Sequence, residues 1–195
     1  RLFEAFSLAT LFLQAVEIPV AYFLFLNAEL TLLILGGAQW VEAPTYLRIL
    51  CFAPLVDPFS RLGGEILKVR HRDGLWILCA VISLLTYLIG GIFWTSAIGP
   101  MGMALINLLP LGAVFMAWGL YQEAPDGFRR LMKRLAYVYL VPIPFFAAVY
   151  FAAGDRPILR FALSLLVVAL SLGLVGRRFG GDFVRFFQQP TTVEE

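Results

Sequence analysis

The chain has 195 residues, of which 61% are hydrophobic and 14% are charged, and its formal net charge is +2 at pH 7. A soluble domain of this size has too small an interior for so much apolar surface, so the composition excludes an ordinary soluble protein and predicts one surrounded by lipid. The basic residues lie between the apolar runs and do not collect on one polar domain, which argues against a nucleic-acid-binding protein.

Six apolar segments are each long enough to cross a bilayer as a helix, because about 20 residues span the roughly 30 Å hydrocarbon core. In chain order they cover residues 6–25, 46–67, 75–94, 101–121, 135–153 and 157–176. A spanning helix satisfies its own backbone hydrogen bonds, whereas a transmembrane barrel would show strands of about ten alternating residues. The sequence therefore predicts an all-α integral membrane protein, a bundle of about six transmembrane helices.

The first segment carries a polar stripe. Ser7, Thr10, Gln14 and Glu17 recur at helical spacing, while the other faces are apolar. A carboxylate near the bilayer centre costs about 2.5 to 3.5 kcal/mol, so the stripe must face protein or a wet cavity. Two interpretations of Glu17 remain open: a desolvated proton acceptor that couples transport to an ion gradient, or a partner of a Ser, Thr or Arg on a neighbouring helix.

The second segment carries a ladder of opposite charges. Asp57, Arg61 and Glu65 follow one another at i, i+4 spacing, with Asp57 near the middle of the predicted span. Ionisable residues at such a depth are candidates for a functional site by default. The alternative is a set of paired charges that only locks this helix against its neighbours.

Prolines interrupt three of the predicted helices. They are Pro54 and Pro58 in the second segment, Pro110 in the fourth, and Pro142 and Pro144 in the fifth. Each removes a backbone hydrogen bond and bends or breaks the helix. Broken helices are common at substrate paths and at points that flex during alternating access, although proline is also ordinary in spanning helices.

The loop charges predict the orientation. The loops after the second and fourth segments and the stretch after the sixth are rich in basic residues, namely Lys68, Arg70, Arg72, Arg129, Arg130, Lys133, Arg134, Arg177, Arg178 and Arg185. The alternate loops hold far fewer, such as Arg48 and Arg156. By the positive-inside rule, the basic loops and the C-terminus are predicted to be cytoplasmic.

Two of these basic stretches, residues 123–134 and 177–195, are also amphipathic, with apolar residues at helical spacing. They either lie in the headgroup plane, attracted to anionic membrane lipids, or simply extend the neighbouring helices with arginines that reach the interface.

Motifs of catalysis and cofactor binding are absent from the sequence. It contains no Gly-rich phosphate loop, no nucleophile elbow and no HExxH pattern. Cys51 and Cys79 fall inside apolar segments, where a disulfide or a thiolate metal site is not expected. We predict no enzyme activity, no cofactor and no metal.

Three stretches together resemble a known family. In order they read LILGGAQW (33–40), TYLRILCFAPLVDPFSRLGGEILKVRHRDGLW (45–76) and AIGPMGMALINLL (97–109). They resemble the polysaccharide flippases of the multidrug and oligosaccharidyl-lipid exporter superfamily, over roughly residues 30 to 110. One departure is the turn His71-Arg72-Asp73-Gly74, which stands where the family usually has Gly-Arg.

The resemblance implies a fold and a division of the chain. Members have two lobes of six helices, so we expect a C-terminal fragment whose partners include its own missing N-terminal lobe. Residues 1–122 would be four helices of the MATE-like second lobe and residues 123–134 a cytoplasmic basic linker. Residues 135–176 would be a C-terminal transmembrane hairpin and residues 177–195 a cytoplasmic amphipathic tail.

The resemblance also implies a function. It is the flipping of an undecaprenyl-diphosphate-linked oligosaccharide across the bacterial cytoplasmic (inner) membrane, for surface polysaccharides such as the O-antigen of lipopolysaccharide. On this hypothesis Arg61 attracts the diphosphate, Asp57 and Glu65 tune Arg61, and Gln14 lines the cavity. Glu17 couples an ion or contacts sugar hydroxyls. The alternatives are a multidrug or metabolite exporter of the same superfamily, a membrane enzyme of envelope glycan assembly, or a scaffolding subunit.

Overall fold

The computed structural model describes residues 2–37, 39–40, 42–56 and 58–188, apart from the side chains of residues 55, 56, 60, 61, 183, 186 and 187. Throughout these ranges the regular structure is helical. The helices are α1 (Leu2–Leu26), α2 (Ala28–Gly36), α3 (Ala43–Leu50), α4 (Ala53–Val56), α5 (Ser60–Val69), α6 (Asp73–Leu85), α7 (Gly91–Ile98), α8 (Pro100–Ile106), α9 (Leu111–Glu123), α10 (Pro125–Leu140), α11 (Pro142–Ala153) and α12 (Pro157–Gln188). A π-helical turn, Thr86–Gly90, joins α6 to α7.

Within the described residues, five helical stretches are long and apolar enough to cross a membrane. They are Leu2–Leu26, Asp73–Ile98, Pro100–Glu123, Pro125–Ala153 and Pro157–Asp182. This finding agrees with the predicted all-α, multi-pass membrane protein.

The remaining predicted span, residues 46–67, is interrupted, as its two prolines predict. The stretch 46–67 is divided among α3, α4 and α5, with turns at Cys51–Phe52 and a bend at Pro58–Phe59. The physical reason is that Pro54 and Pro58 each lack a backbone donor, so no continuous helix passes through both. Asp57 lies outside the described residues.

Helix α1 lies at the centre of the bundle, in contact with α10, α11, α12 and the α3–α5 segment. Its apolar side chains Phe6, Leu11 and Ile18 are buried in the main core together with residues of α5, α9, α10 and α12. Apolar side chains of the outer helices, by contrast, are largely exposed. This pattern is expected where lipid, and not water, surrounds the bundle.

The helices around α1 have definite directions. Phe3 packs at Gly127 and Tyr22 stacks on Phe146, so α10 and α11 run in the same direction as α1. Phe23 contacts Phe161 near the start of α12, with 5.0 Å between ring centroids. Because Phe23 lies near the end of α1, α12 runs in the opposite direction.

The chain reversals gather at two ends of the bundle. At one, the basic end, Arg72 pairs with Glu123 (3.1 Å) and Arg134 pairs with Asp182 (3.3 Å). At the opposite end, Arg48 pairs with Glu29 (2.9 Å). The segment 43–69 therefore passes from one end to the other, although it is broken. The loops that are rich in basic residues meet at one end, as the topology requires, and the side of the membrane that this end faces remains a prediction.

The amphipathic stretch before the fifth predicted span belongs to α10. Phe128 packs against Phe59 and Tyr121, with ring centroids 5.5 and 5.9 Å away, and Leu131 is buried in the core. Similarly, α12 continues to Gln188, and Phe179 packs against Tyr137. For residues 123–134 the structure favours helix extension, since this apolar face contacts protein. Within the stretch 177–195, residues 189–195 and the side chains of Phe183, Phe186 and Phe187 lie outside the described part of the chain.

Candidate functional site

The polar stripe of α1 faces the protein interior. Ser7, Thr10 and Gln14 are buried, and Glu17 is partly buried. Ser7 satisfies its hydroxyl locally, by donating to the carbonyl of Phe3 at 2.8 Å. The stripe thus lies on the buried side of α1, whereas Phe12 and Val16 on another side of the helix are exposed.

Gln14 is the centre of a hydrogen-bond network that joins α1 to α10. The Tyr139 hydroxyl donates to Gln14 Oε1 at 3.0 Å, and Gln14 Nε2 donates to Glu17 Oε2 at 2.9 Å. Gln14 is 3% exposed and lies near the middle of α1. Both ends of the amide are thus held, so Gln14 ties two helices together at mid-depth and is enclosed by its own partners.

Three further buried hydroxyls lie on the two helices α1 and α12, which pack against each other. Thr10 Oγ1, Ser164 Oγ and Ser171 Oγ have no hydrogen-bond partner among the described residues. An unpaired buried hydroxyl costs roughly 1 to 3 kcal/mol. The interior along α1 is therefore more polar than packing alone requires, and the α12 serines were not singled out from the sequence.

The charge ladder of the second segment is only partly described. Asp57 lies outside the described residues, and for Arg61 the structure describes the helix it belongs to, α5, but not its side chain. The side chain of Glu65 is 67% exposed and pairs with Lys68 at 2.9 Å. Lys68 also lies over the Trp76 ring, 4.5 Å from its centroid. Glu65 is therefore a surface residue of the basic end.

The prolines singled out from the sequence lie in or beside short and broken helices. Pro54 is in the four-residue α4, Pro58 lies between α4 and α5, and Pro110 precedes α9. Pro142 opens α11, with Pro144 in its first turn. Two features were missed. Pro19 lies within the continuous α1, and the π-turn at 86–90 follows no proline.

A cavity of about 840 Å³ opens at the end of the bundle opposite the basic end. We call it the Arg160 cavity. Its lining combines aromatic and aliphatic side chains with four charged ones, the latter being Glu29, Arg48, Asp155 and Arg160. The sequence offered one signal, since Arg48 and Arg160 each fall near the start of a predicted apolar segment, but nothing in the spacing placed them together.

Arg160 is held by its own hairpin. It donates to the carbonyl of Gly154, and its guanidinium lies 5.9 Å from the centroid of the Tyr150 ring. Its Nε is buried and has no partner among the described residues. Arg48, in contrast, is compensated by Glu29. Of the two guanidinium groups in the cavity, that of Arg160 therefore retains a donor without a hydrogen-bond partner.

Among the described residues, no three His, Cys, Asp or Glu side chains lie close enough together to hold a metal ion. Comparisons with protein-family models, with curated proteins and with solved structures find no match to this chain.

Proposed function

We propose that the chain is part of a membrane transporter that flips a lipid-linked oligosaccharide, carried on undecaprenyl diphosphate, across the bacterial cytoplasmic membrane. The observation that carries the proposal is that four helical paths, all but those of the continuous α1 and α12, are broken or contain a π-turn near their middle, at the depth of a buried polar network.

The interruptions recur from path to path. The segment 43–69 is broken at 51–52 and 58–59, the path 100–123 at 107–110, and the path 125–153 at 141. A fourth path, 73–98, contains the π-turn at its centre. Discontinuous helices and π-turns are typical of substrate paths and of helices that flex, because their freed backbone groups need polar surroundings.

Polar groups lie at the same depth. Tyr139 stands immediately before the α10–α11 break and donates to Gln14 at the middle of α1. The unpaired hydroxyls of Thr10 and Ser171 belong to the same region of α1 and α12. Such an interior suits the passage of a sugar headgroup, whose hydroxyls need hydrogen-bond partners while the lipid tail stays in the bilayer.

The diphosphate requires a cation, and Arg61 is the one that we assign to it. It belongs to α5, one helical turn before Glu65, in the broken segment that connects the two ends. A guanidinium matches a phosphate with paired hydrogen bonds, which a lysine does not. Asp57 would set its position. Because Glu65 lies at the surface, its effect on Arg61 would be indirect.

The test uses the product of the intact gene, reconstituted in liposomes that contain a fluorescent lipid-linked oligosaccharide. Externally added dithionite bleaches only the fluorescent lipid in the outer leaflet. Flipping is therefore measured as the bleached fraction that exceeds the fraction of lipid initially in the outer leaflet. We expect nearly complete bleaching with the protein and about half without it. Bleaching that stops at the level of empty liposomes would refute the function. In cells, deletion of the gene should abolish surface polysaccharide and leave its lipid-linked precursor inside.

A further inference from the structure

The Arg160 cavity lies where lipid headgroups lie. It is formed beside the hairpin between α11, which ends at Ala153, and α12, which begins at Pro157. Arg160 is three residues into α12, roughly 4.5 Å from its start at 1.5 Å per residue. Phe151, which lines the cavity, and Ile158 beside it are 82% and 77% exposed, as expected for side chains that contact acyl chains. The cavity is therefore at headgroup depth and adjoins the lipid-facing surface.

The charges in the cavity leave one cation and one anion to be satisfied. Arg48 and Glu29 neutralise each other at 2.9 Å. In the described part of the chain, Arg160 has no carboxylate partner, and its Nε is buried without a hydrogen bond. Asp155, on the same hairpin, likewise forms no ion pair with a described residue. The cavity thus presents a positive group beside a negative one.

We propose that the Arg160 cavity binds the headgroup of a zwitterionic phospholipid, with the phosphate on the Arg160 guanidinium and the ammonium group facing Asp155. The acyl chains would lie along the apolar wall that includes Ile143 and Ala147. This site goes beyond the proposed transport function and does not depend on it.

The balance of charges in the cavity favours a zwitterionic lipid headgroup over an anionic one. With Arg48 already paired, the remaining carboxylate offsets the single free guanidinium. A lipid that carries only negative charge would be attracted by Arg160 and repelled by Asp155. A phosphoethanolamine headgroup presents a negative and a positive group a few ångströms apart, so both protein charges would be compensated.

The experiment measures lipid binding to the delipidated, purified product of the intact gene by native mass spectrometry. Phosphatidylethanolamine and phosphatidylglycerol with identical acyl chains are the two probes. We expect phosphatidylethanolamine to bind about tenfold more tightly, and Arg160→Gln to lower that affinity about tenfold or more, since a charge-assisted hydrogen bond is lost. Asp155→Asn should remove the preference between the two lipids.

Arg156→Gln is the matched control, because Arg156 is exposed on the same hairpin but does not line the cavity. It should bind both lipids as the unmodified protein does. If the Arg160→Gln protein does not fold, Asp155→Asn still tests the site. Asp155 is exposed, so its substitution should leave the fold intact. Equal affinity for the two lipids, or an Arg160→Gln protein that binds like Arg156→Gln, would overturn the proposal. So would displacement of phosphatidylethanolamine by equimolar undecaprenyl diphosphate, which would assign the cavity to the transported lipid.

Discussion

Gln14 illustrates what a polar residue does inside a bundle of this kind. Its amide accepts from Tyr139 on α10 and donates to Glu17 on its own helix. A buried amide without these partners would be costly in a lipid-surrounded interior. Gln14 therefore stabilises the α1–α10 contact, and contact with a substrate would first require these hydrogen bonds to open. Whether Glu17 couples an ion remains a prediction.

Tyr139→Phe tests this network. Removing the hydroxyl leaves Gln14 Oε1 without its donor, so we expect the free energy of unfolding to fall by about 0.6 to 1.5 kcal/mol, the range for such bonds in membrane proteins and in proteins generally. Thermal unfolding in detergent measures the change. Tyr137→Phe is the control, because the ring of Tyr137 packs against Phe179 and its hydroxyl has no described hydrogen bond. Equal stability of the two variants would contradict the role of Tyr139.

Arg61→Ala tests the assignment of the diphosphate contact. We expect flipping of the fluorescent lipid-linked oligosaccharide to be lost, while the amount of protein in the membrane is unchanged. Arg70→Ala, in the exposed turn at the basic end, should flip at the normal rate. Normal transport by Arg61→Ala would remove this residue from the mechanism.

At the scale of elements, the α7–α8 hairpin gives a structural reason for one of the motifs quoted above. Gly99 adopts a left-handed backbone conformation, φ 66°, in the turn, and glycine does so at little cost. A Cβ atom on Gly102 would collide with the backbone of Trp94. Ala104 is buried beside them. Within the stretch AIGPMGMALINLL (97–109), these three residues thus set a turn and a close helix approach, and by themselves they specify no substrate.

Gly102→Ala should therefore destabilise the protein by about 1 to 3 kcal/mol, the usual range for overpacking. The obstructing atoms belong to the Trp94 backbone and cannot rotate away. Gly173→Ala is the matched control within a helix, since its Cβ would meet nothing within 4 Å. It should be neutral or slightly stabilising, because alanine is the better helix former. Similar losses in the two thermal unfolding curves would contradict the close packing of this hairpin.

At the scale of the whole molecule, the arrangement of the ends makes the orientation testable. Residues 68–72 lie at the basic end and the hairpin 154–156 lies at the other, so they should face opposite sides of the membrane. Single cysteines at Arg70 and Arg156 can be labelled with an impermeant maleimide. Cys51 and Cys79 are buried, so the background should be low.

We expect Arg156→Cys to react in intact cells with a permeable outer envelope, and Arg70→Cys to react only after the cytoplasmic membrane is opened. The reason is that basic loops are retained on the cytoplasmic side. The reverse pattern would invert the predicted orientation. Labelling of both sites from outside would contradict the three membrane crossings expected between them, by residues 73–98, 100–123 and 125–153.

The sequence alone determined the helical membrane class, the approximate limits of the apolar stretches and the inward direction of the Ser7–Gln14 stripe. These properties are local, because hydropathy and helical period are decided segment by segment. The sequence also predicted where the second segment is interrupted, since Pro54 and Pro58 lie where 46–67 is divided into short helices.

Only the tertiary structure decided which groups meet. Tyr139 reaches Gln14 across 125 positions of the chain, and Arg48 and Arg160 come to one cavity from different helices. Glu65, which seemed part of a buried ladder, is turned to the surface beside Lys68. Such outcomes depend on how each helix is rotated and where it bends, and these are set by packing between distant segments.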